Sequence, residues 1–169
     1  MVAGWSRIAG LMGLILSLSA CGFHLRGSVA LPAVMEKSFV EAGQYRELGQ
    51  ALEQRLRGAG MQLVASEAEA SAVIRLLGEQ RQRRVIAVDT SGQASAYELS
   101  YTVSFELHDG AGETLLGRQS LSSSRDLNFD AANVLGKSRE EAQIYEALRE
   151  AAASSILQRI QYALPGQAP

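Results

Sequence analysis

Three features of this 169-residue sequence predict an α+β fold, an α/β sandwich of two helices packed on one face of a small mixed, largely antiparallel β-sheet. Tyr97, Leu99, Tyr101, Val103, Phe105 and Leu107 alternate with polar residues, which gives a strand one buried and one wet face. Tyr45, Leu48, Leu52, Leu56 and Ala59 recur every three or four residues, and so do the apolar residues from Tyr145 through Leu148, Ala152, Ile156 and Ile160 to Leu164. Each of those stripes lies along one side of a helix. Elements that are apolar on one side only bury those sides against each other, and two layers is the economical result.

The first segment has a separate purpose. Residues 1–20 carry a single positive charge, Arg7, followed by an apolar run from Ile8 to Leu18. That run is well short of the ~20 residues that cross a bilayer. It has the form of a secretory signal peptide. Small residues, Ser19 and Ala20, precede the sole cysteine, Cys21, in the arrangement of a bacterial lipoprotein signal. Cys21 is therefore expected to be the lipidation site, and residues 21–164 the single folded domain, followed by a short tail at 165–169. One acyl chain anchors weakly, whereas several hold a protein on a membrane permanently. Gly22 rather than Asp follows the cysteine, which favours the outer membrane on its periplasmic side.

Within the domain, residues 23–27 alternate as a short strand, and residues 34–41, after Pro32, form a second. The first helix follows Gly43, carries an i,i+4 pair of Glu53 and Arg57, and stops near Gly58 and Gly60. It is expected to cross over between two parallel strands. Residues 61–66 are extended and 67–71 turn. Residues 73–79 and 85–89 read as two strands separated by a polar stretch, and residues 90–93 as a hairpin turn with Gly92 supplying the unusual dihedral. The alternating strand through Leu107 turns at 109–112 into a serine-rich strand over 113–127. Residues 129–137 lack a period and read as a loop. Ser138 and Glu141 form a capping box for the last helix, which Pro165 and Gly166 end.

Composition narrows the function. A lone cysteine excludes an internal disulfide framework and a paired-cysteine zinc or redox module. A net charge of −2 leaves no general basic surface for nucleic acid, so no nucleic-acid partner is expected. Of the two histidines, His24 adjoins the lipid anchor, and His108 sits on the polar side of a strand, where it reads as a solvated surface residue. Neither has metal-ligand company, and phosphate-loop, dinucleotide and nucleophile-elbow motifs do not occur. Glu140 and Glu141 suit the positive end of a helix better than acid–base work. The expectation is a protein that is not an enzyme and uses no metal or cofactor.

Binding remains. Arg81, Arg83 and Arg84 are the densest cationic cluster, with Arg75, Arg118 and Arg125 on neighbouring strands and Lys137 before the last helix. Arginine forks match phosphate oxygens in pairs and lysine meets them as a point charge. The same side chains also suit a strand edge that is merely solvated and protected against aggregation.

The segment Cys21-Gly22-Phe23-His24-Leu25-Arg26-Gly27 resembles the mature start of the LptE family of lipopolysaccharide-assembly lipoproteins. The similarity continues through Gly92-Gln93 and Ala96-Tyr97-Glu98-Leu99, then Arg125, Phe129-Asp130, Leu135-Gly136-Lys137 and Glu140-Glu141. It implies two helices against a small mixed sheet, and a protein that plugs the outer-membrane β-barrel LptD, sits partly in its lumen and binds lipopolysaccharide for insertion into the outer leaflet. It also implies that Lys137 contacts the lipopolysaccharide. Family members can carry an arginine at the hairpin tip, where this chain has Thr90-Ser91-Gly92, so Arg81, Arg83 and Arg84 are expected to supply that charge. The alternative is a periplasm-facing lipoprotein that binds another anionic ligand or a protein, with no barrel partner.

Overall fold

The computed structural model describes residues 31–129 and 134–164. From Leu31 the chain makes a 3-10 turn at Ala33–Met35 and enters strand β1 (Lys37–Glu41), helix α1 (Arg46–Gly58) and the short β2 (Gln62–Leu63). A second 3-10 turn, Glu67–Glu69, leads to three long strands, β3 (Ala72–Val88), β4 (Ala94–Asp109) and β5 (Thr114–Asn128), and then to α2 (Val134–Ala163). The sheet order is β2-β1-β3-β4-β5, with β1 parallel to both of its neighbours and β3, β4 and β5 antiparallel. Parallel neighbours cannot be joined by a tight turn. Helix α1 makes the crossover between β1 and β2, as its stripe and position anticipated.

Both helices pack on the same side of the sheet. Leu48, Leu52 and Leu56 of α1 and Ile156 and Ile160 of α2 are sealed from solvent against Ile74, Tyr101, Val103 and Phe105. Each such aliphatic side chain contributes roughly 1.5–3 kcal/mol by leaving water. The opposite face of the sheet has no helix over it among the described residues.

Two hairpin turns repeat one device. Asp89 accepts from the backbone N–H groups of Ser91 (2.8 Å) and Gln93 (2.9 Å), and Asp109 from those of Ala111 (2.9 Å) and Glu113 (2.8 Å). In each turn a glycine, Gly92 at φ +80° or Gly112 at φ +86°, takes the left-handed conformation that side chains disfavour. The Asp89 carboxyl is held below the ordinary range, foremost by the Ser91 hydroxyl and then by the Gln93 N–H.

One irregularity governs the face each residue of β3 presents. Ala72, Ile74 and Leu76 point at the helices, but the register slips between Leu76 and Gly78. Beyond that bulge Glu79, Arg81 and Arg83 stand opposite Val103, Tyr101 and Leu99, so odd rather than even positions face the helices.

The structure corrects several expectations. Residues 73–89 are not two strands: β3 runs unbroken to Val88, because the polar stretch pairs residue by residue with β4. The strand expected over 34–41 begins only at Lys37, after the 3-10 turn. Helix α2 starts at Val134, so Ser138 lies inside it instead of at its N-cap position; extending a nucleated helix adds a hydrogen bond for each residue fixed. His108 is buried at 9% exposure instead of solvated, because the hairpin turn folds back beside it. Its Nδ1 lies 3.4 Å from the Gly112 carbonyl, and its Nε2 lies 2.8 Å from Glu106 Oε1, close but off the hydrogen-bonding line. The signal segment, Cys21, the strand over 23–27 and the tail lie outside the described residues.

Candidate functional site

The bulge in β3 divides the arginine cluster. Arg81 and Arg83 rise on the helix side, whereas Arg84 projects from the other face, where its Nη2 donates to Glu98 at 2.9 Å.

Arg83 is the most constrained. Its guanidinium carbon lies 3.6 Å from the centroid of the Tyr97 ring and 5.6 Å from that of Phe129. Those two rings meet edge to face, 5.4 Å apart at 89°. Nη1 donates to Glu141 at 3.0 Å, which ties the hairpin to the first turns of α2. Arg81 turns the other way. It donates to Glu79 at 3.1 Å and to Glu47 of α1 at 3.2 Å, and Arg149 of α2 reaches the same Glu47 oxygen at 2.7 Å. Nearby, Tyr145 donates from its hydroxyl to the Gln82 carbonyl at 3.0 Å. Burial, then the Glu141 carboxylate, push that hydroxyl above the usual phenol range.

Lys137 lies one helical turn before Glu141, so it occupies the same end of the molecule as Arg83. Its ammonium donates to Glu140 at 2.8 Å. Of the four cations read from the sequence, Lys137 and Arg83 therefore come together, Arg81 is spent on the contact between helices and sheet, and Arg84 is on the far face. A shared anion site is geometrically open to the first two only.

Two further cations lie at that end. Arg125 sits across Leu99 from Arg83 in the β3–β4–β5 register, about 10 Å away at two strand spacings. Arg139 follows Lys137 in the first turns of α2. Among the described residues neither has a carboxylate partner, in contrast to Arg83 and Lys137. The alternation in β5 was the signal for Arg125, since every second residue from Leu121 to Leu127 shares its face.

Apolar side chains crowd the same end. Helix α2 runs antiparallel to β3, as the Tyr145–Gln82 and Glu141–Arg83 contacts show, so Leu135 lies toward the hairpin tip. There Val85, Ile86, Val88 and Leu135 are 43–82% exposed. Exposed apolar groups at the same end as cations suit an anionic amphiphile.

Other concavities are differently built. A cleft of about 520 Å³ lies between α1 and α2 and is lined by the Arg55–Glu150 ion pair at 2.9 Å. Among the described residues no three His, Cys, Asp or Glu converge as for a metal, and no helix is long and apolar enough to cross a membrane.

A family model described as LptE, lipopolysaccharide-assembly, matches residues 28–160. The chain is 25% identical over 154 residues to the LPS-assembly lipoprotein LptE of Photorhabdus laumondii, covering 89% of this chain and 82% of that protein. Its fold matches the solution structure of an uncharacterized lipoprotein B from Nitrosomonas europaea, with a TM-score of 0.70 and 28% identity over 83% of this chain and 90% of that one. The crystal structure of rare lipoprotein B from Shewanella oneidensis aligns with a TM-score of 0.64 and 26% identity, covering 75% of this chain and 94% of that one.

Proposed function

The chain belongs to the LptE lipopolysaccharide-assembly family, and from that premise we propose that it is a lipid-anchored outer-membrane protein that plugs the LptD β-barrel and binds lipopolysaccharide. The observation that carries the binding half is the hairpin end of the fold, which holds Arg83, Arg125, Lys137 and Arg139 as well as exposed Val85, Ile86, Val88 and Leu135. Lipopolysaccharide joins phosphates to acyl chains, and this end offers a partner for each. Arginine and lysine meet the phosphates, and the aliphatic groups lose water against the chains.

The anchor is assigned to Cys21, with residues 1–20 removed on export and residues 21–164 forming the exported domain. Leu31 is already buried in the core, so ten Cα-to-Cα steps separate it from Cys21. That tether reaches at most about 36 Å. The domain therefore works close to the leaflet that holds its lipid. The barrel half rests on family membership and on shape: a wide barrel has a polar interior to be filled, and a compact domain fits it. The protein acts by binding and positioning, without catalysis.

Three measurements test the reading. Intact-mass analysis of the membrane-extracted protein should show cleavage before residue 21 and acyl groups on Cys21. Gentle detergent extraction should recover the chain with a large β-barrel; a free monomer supports the alternative lipoprotein role. Titration with lipopolysaccharide should give saturable binding that Ala at Lys137, Arg125 and Arg139 together abolishes.

A further inference from the structure

The point where the chain enters the fold holds a small apolar pocket. Among the described residues its lining is Leu31, Pro32, Ala33, Glu36 and Met61, so Glu36 supplies the charge and the rest is aliphatic or small. Its volume is about 190 Å³. Sites that enclose small-molecule ligands measure roughly 300–1,000 Å³. The space therefore suits one or two side chains better than a separate ligand. It lies beside the start of β1, whose Ser38 pairs with the first residue of β3, Ala72. That is the end of the sheet opposite the 89–93 hairpin turn.

We propose that the chain's own N-terminal lead-in fills this pocket, with Leu25 and Phe23 as the side chains that enter. Three observations select that occupant. Leu31 is itself part of the lining and is buried, so the residues before it start from the pocket. Phe23 and Leu25 alternate with His24 and Arg26, which puts both apolar side chains on one side of an extended segment. Gly27 and Ser28 are turn formers, and they lie between Leu25 and Leu31, where the segment has to reverse. The charge also matches, since Arg26 adjoins Leu25 and Glu36 is the carboxylate of the lining. A tethered segment competes at an effective concentration on the order of millimolar, which a free partner rarely reaches.

Docking changes the geometry of the anchor, a consequence that rests on the Cys21 reading above. With Leu25 seated, four Cα-to-Cα steps, about 14 Å, separate the pocket from Cys21, in place of the reach of about 36 Å for the free segment. The base of the sheet is then pinned at the leaflet. The hairpin end is held at the far end of β3, roughly 50 Å along the strand.

The test uses the full-length lipidated protein in detergent. Trypsin cleavage after Arg26 reads the undocked fraction, because proteolysis follows the population of the open form. Leu25→Asp brings a carboxylate to a pocket that offers it aliphatic groups and Glu36. Ala33→Glu places a charge in the lining at an exposed position, so the domain still folds. Either variant should be cut at Arg26 at least about tenfold faster than wild type, since an unpaired charge is costly to cover. Leu25→Met, which conserves volume, should keep the wild-type rate. A photocrosslinker at position 25 should join the peptide that holds Met61 in the same chain. Equal cleavage of wild type and both charged variants overturns the proposal, and so do crosslinks that run only to lipid, to a second copy or to another protein. These readouts do not depend on acyl groups. A bare Cys21 in the intact-mass measurement overturns the anchor reading alone, which tells the two failures apart.

Discussion

Arg83 sits over the Tyr97 ring, its guanidinium carbon 3.6 Å from the ring centroid, and this contact makes the central arginine of the hairpin a structural clamp before it is anything else. The guanidinium also donates to Glu141, so one side chain fastens the hairpin to the start of α2 beside Lys137. The clamp holds the candidate binding end in shape.

Replacing that arginine should loosen the end. With its side chain 37% exposed, the ion pair is partly screened. The stack and the pair together contribute about 1–2 kcal/mol. Arg83→Ala should lower the melting temperature by that equivalent, and Arg83→Lys should recover only part of it, because lysine lacks the planar fork. Thermal unfolding by circular dichroism reads both.

Arg125 and Arg139, at the hairpin end and without a carboxylate partner among the described residues, should contribute to lipopolysaccharide binding. Arg125→Ala and Arg139→Ala are each expected to weaken binding about three- to tenfold, comparable to one exposed charge contact of about 1 kcal/mol. Lys137→Ala should do the same, whereas Arg84→Ala, on the opposite face, should have little effect. Titrations with labelled lipopolysaccharide at low and moderate salt check this, and the losses should be larger at low salt.

Acid should remove one contribution from the hairpin tip. Asp89 has a folded-state carboxyl held below its unfolded value by the Ser91 hydroxyl and the Gln93 N–H. Its stabilisation is therefore present above the unfolded value of about 3.9 and is lost as pH falls through the lower folded one. Asp89→Asn should flatten that part of the pH profile in urea unfolding and leave binding at neutral pH little changed.

Tyr101 makes the opposite kind of prediction. The residue is fully buried, and among the described residues its hydroxyl makes no hydrogen bond of ordinary geometry. Burial pushes this phenol well above its usual range, and the Glu79 carboxylate adds to the shift. Removing a buried hydroxyl that lacks a partner costs little. Tyr101→Phe should be neutral or stabilising by up to about 1 kcal/mol. A loss of more than that in chemical denaturation would reveal a hydrogen bond held by an internal water.

Gly110 tests the fit of the second hairpin turn. A Cβ there would meet the Ala70 carbonyl oxygen at 2.3 Å, a backbone atom with no easy way aside. Gly110→Ala should cost about 1–3 kcal/mol in unfolding free energy.

Much of this architecture was legible in periodicity. The alternation from Tyr97 to Leu107 and the stripes of Leu48-Leu52-Leu56 and Leu148-Ala152-Ile156-Ile160 name the buried faces of β4, α1 and α2, because burial is a local demand that each element meets through its own repeat. The lone cysteine behind an apolar run and the family blocks around Lys137 are local too. Pairing is not local. The slip at Leu76–Gly78 reverses which side of β3 each arginine occupies, and the lone glycine there hints at a bulge without fixing its register. Only when β3 and β4 are laid side by side do Arg81 and Arg83 turn to the helices and Arg84 turn away. Sequence determined which residues each element hides; register, a property of two strands at once, decided which ones stand together.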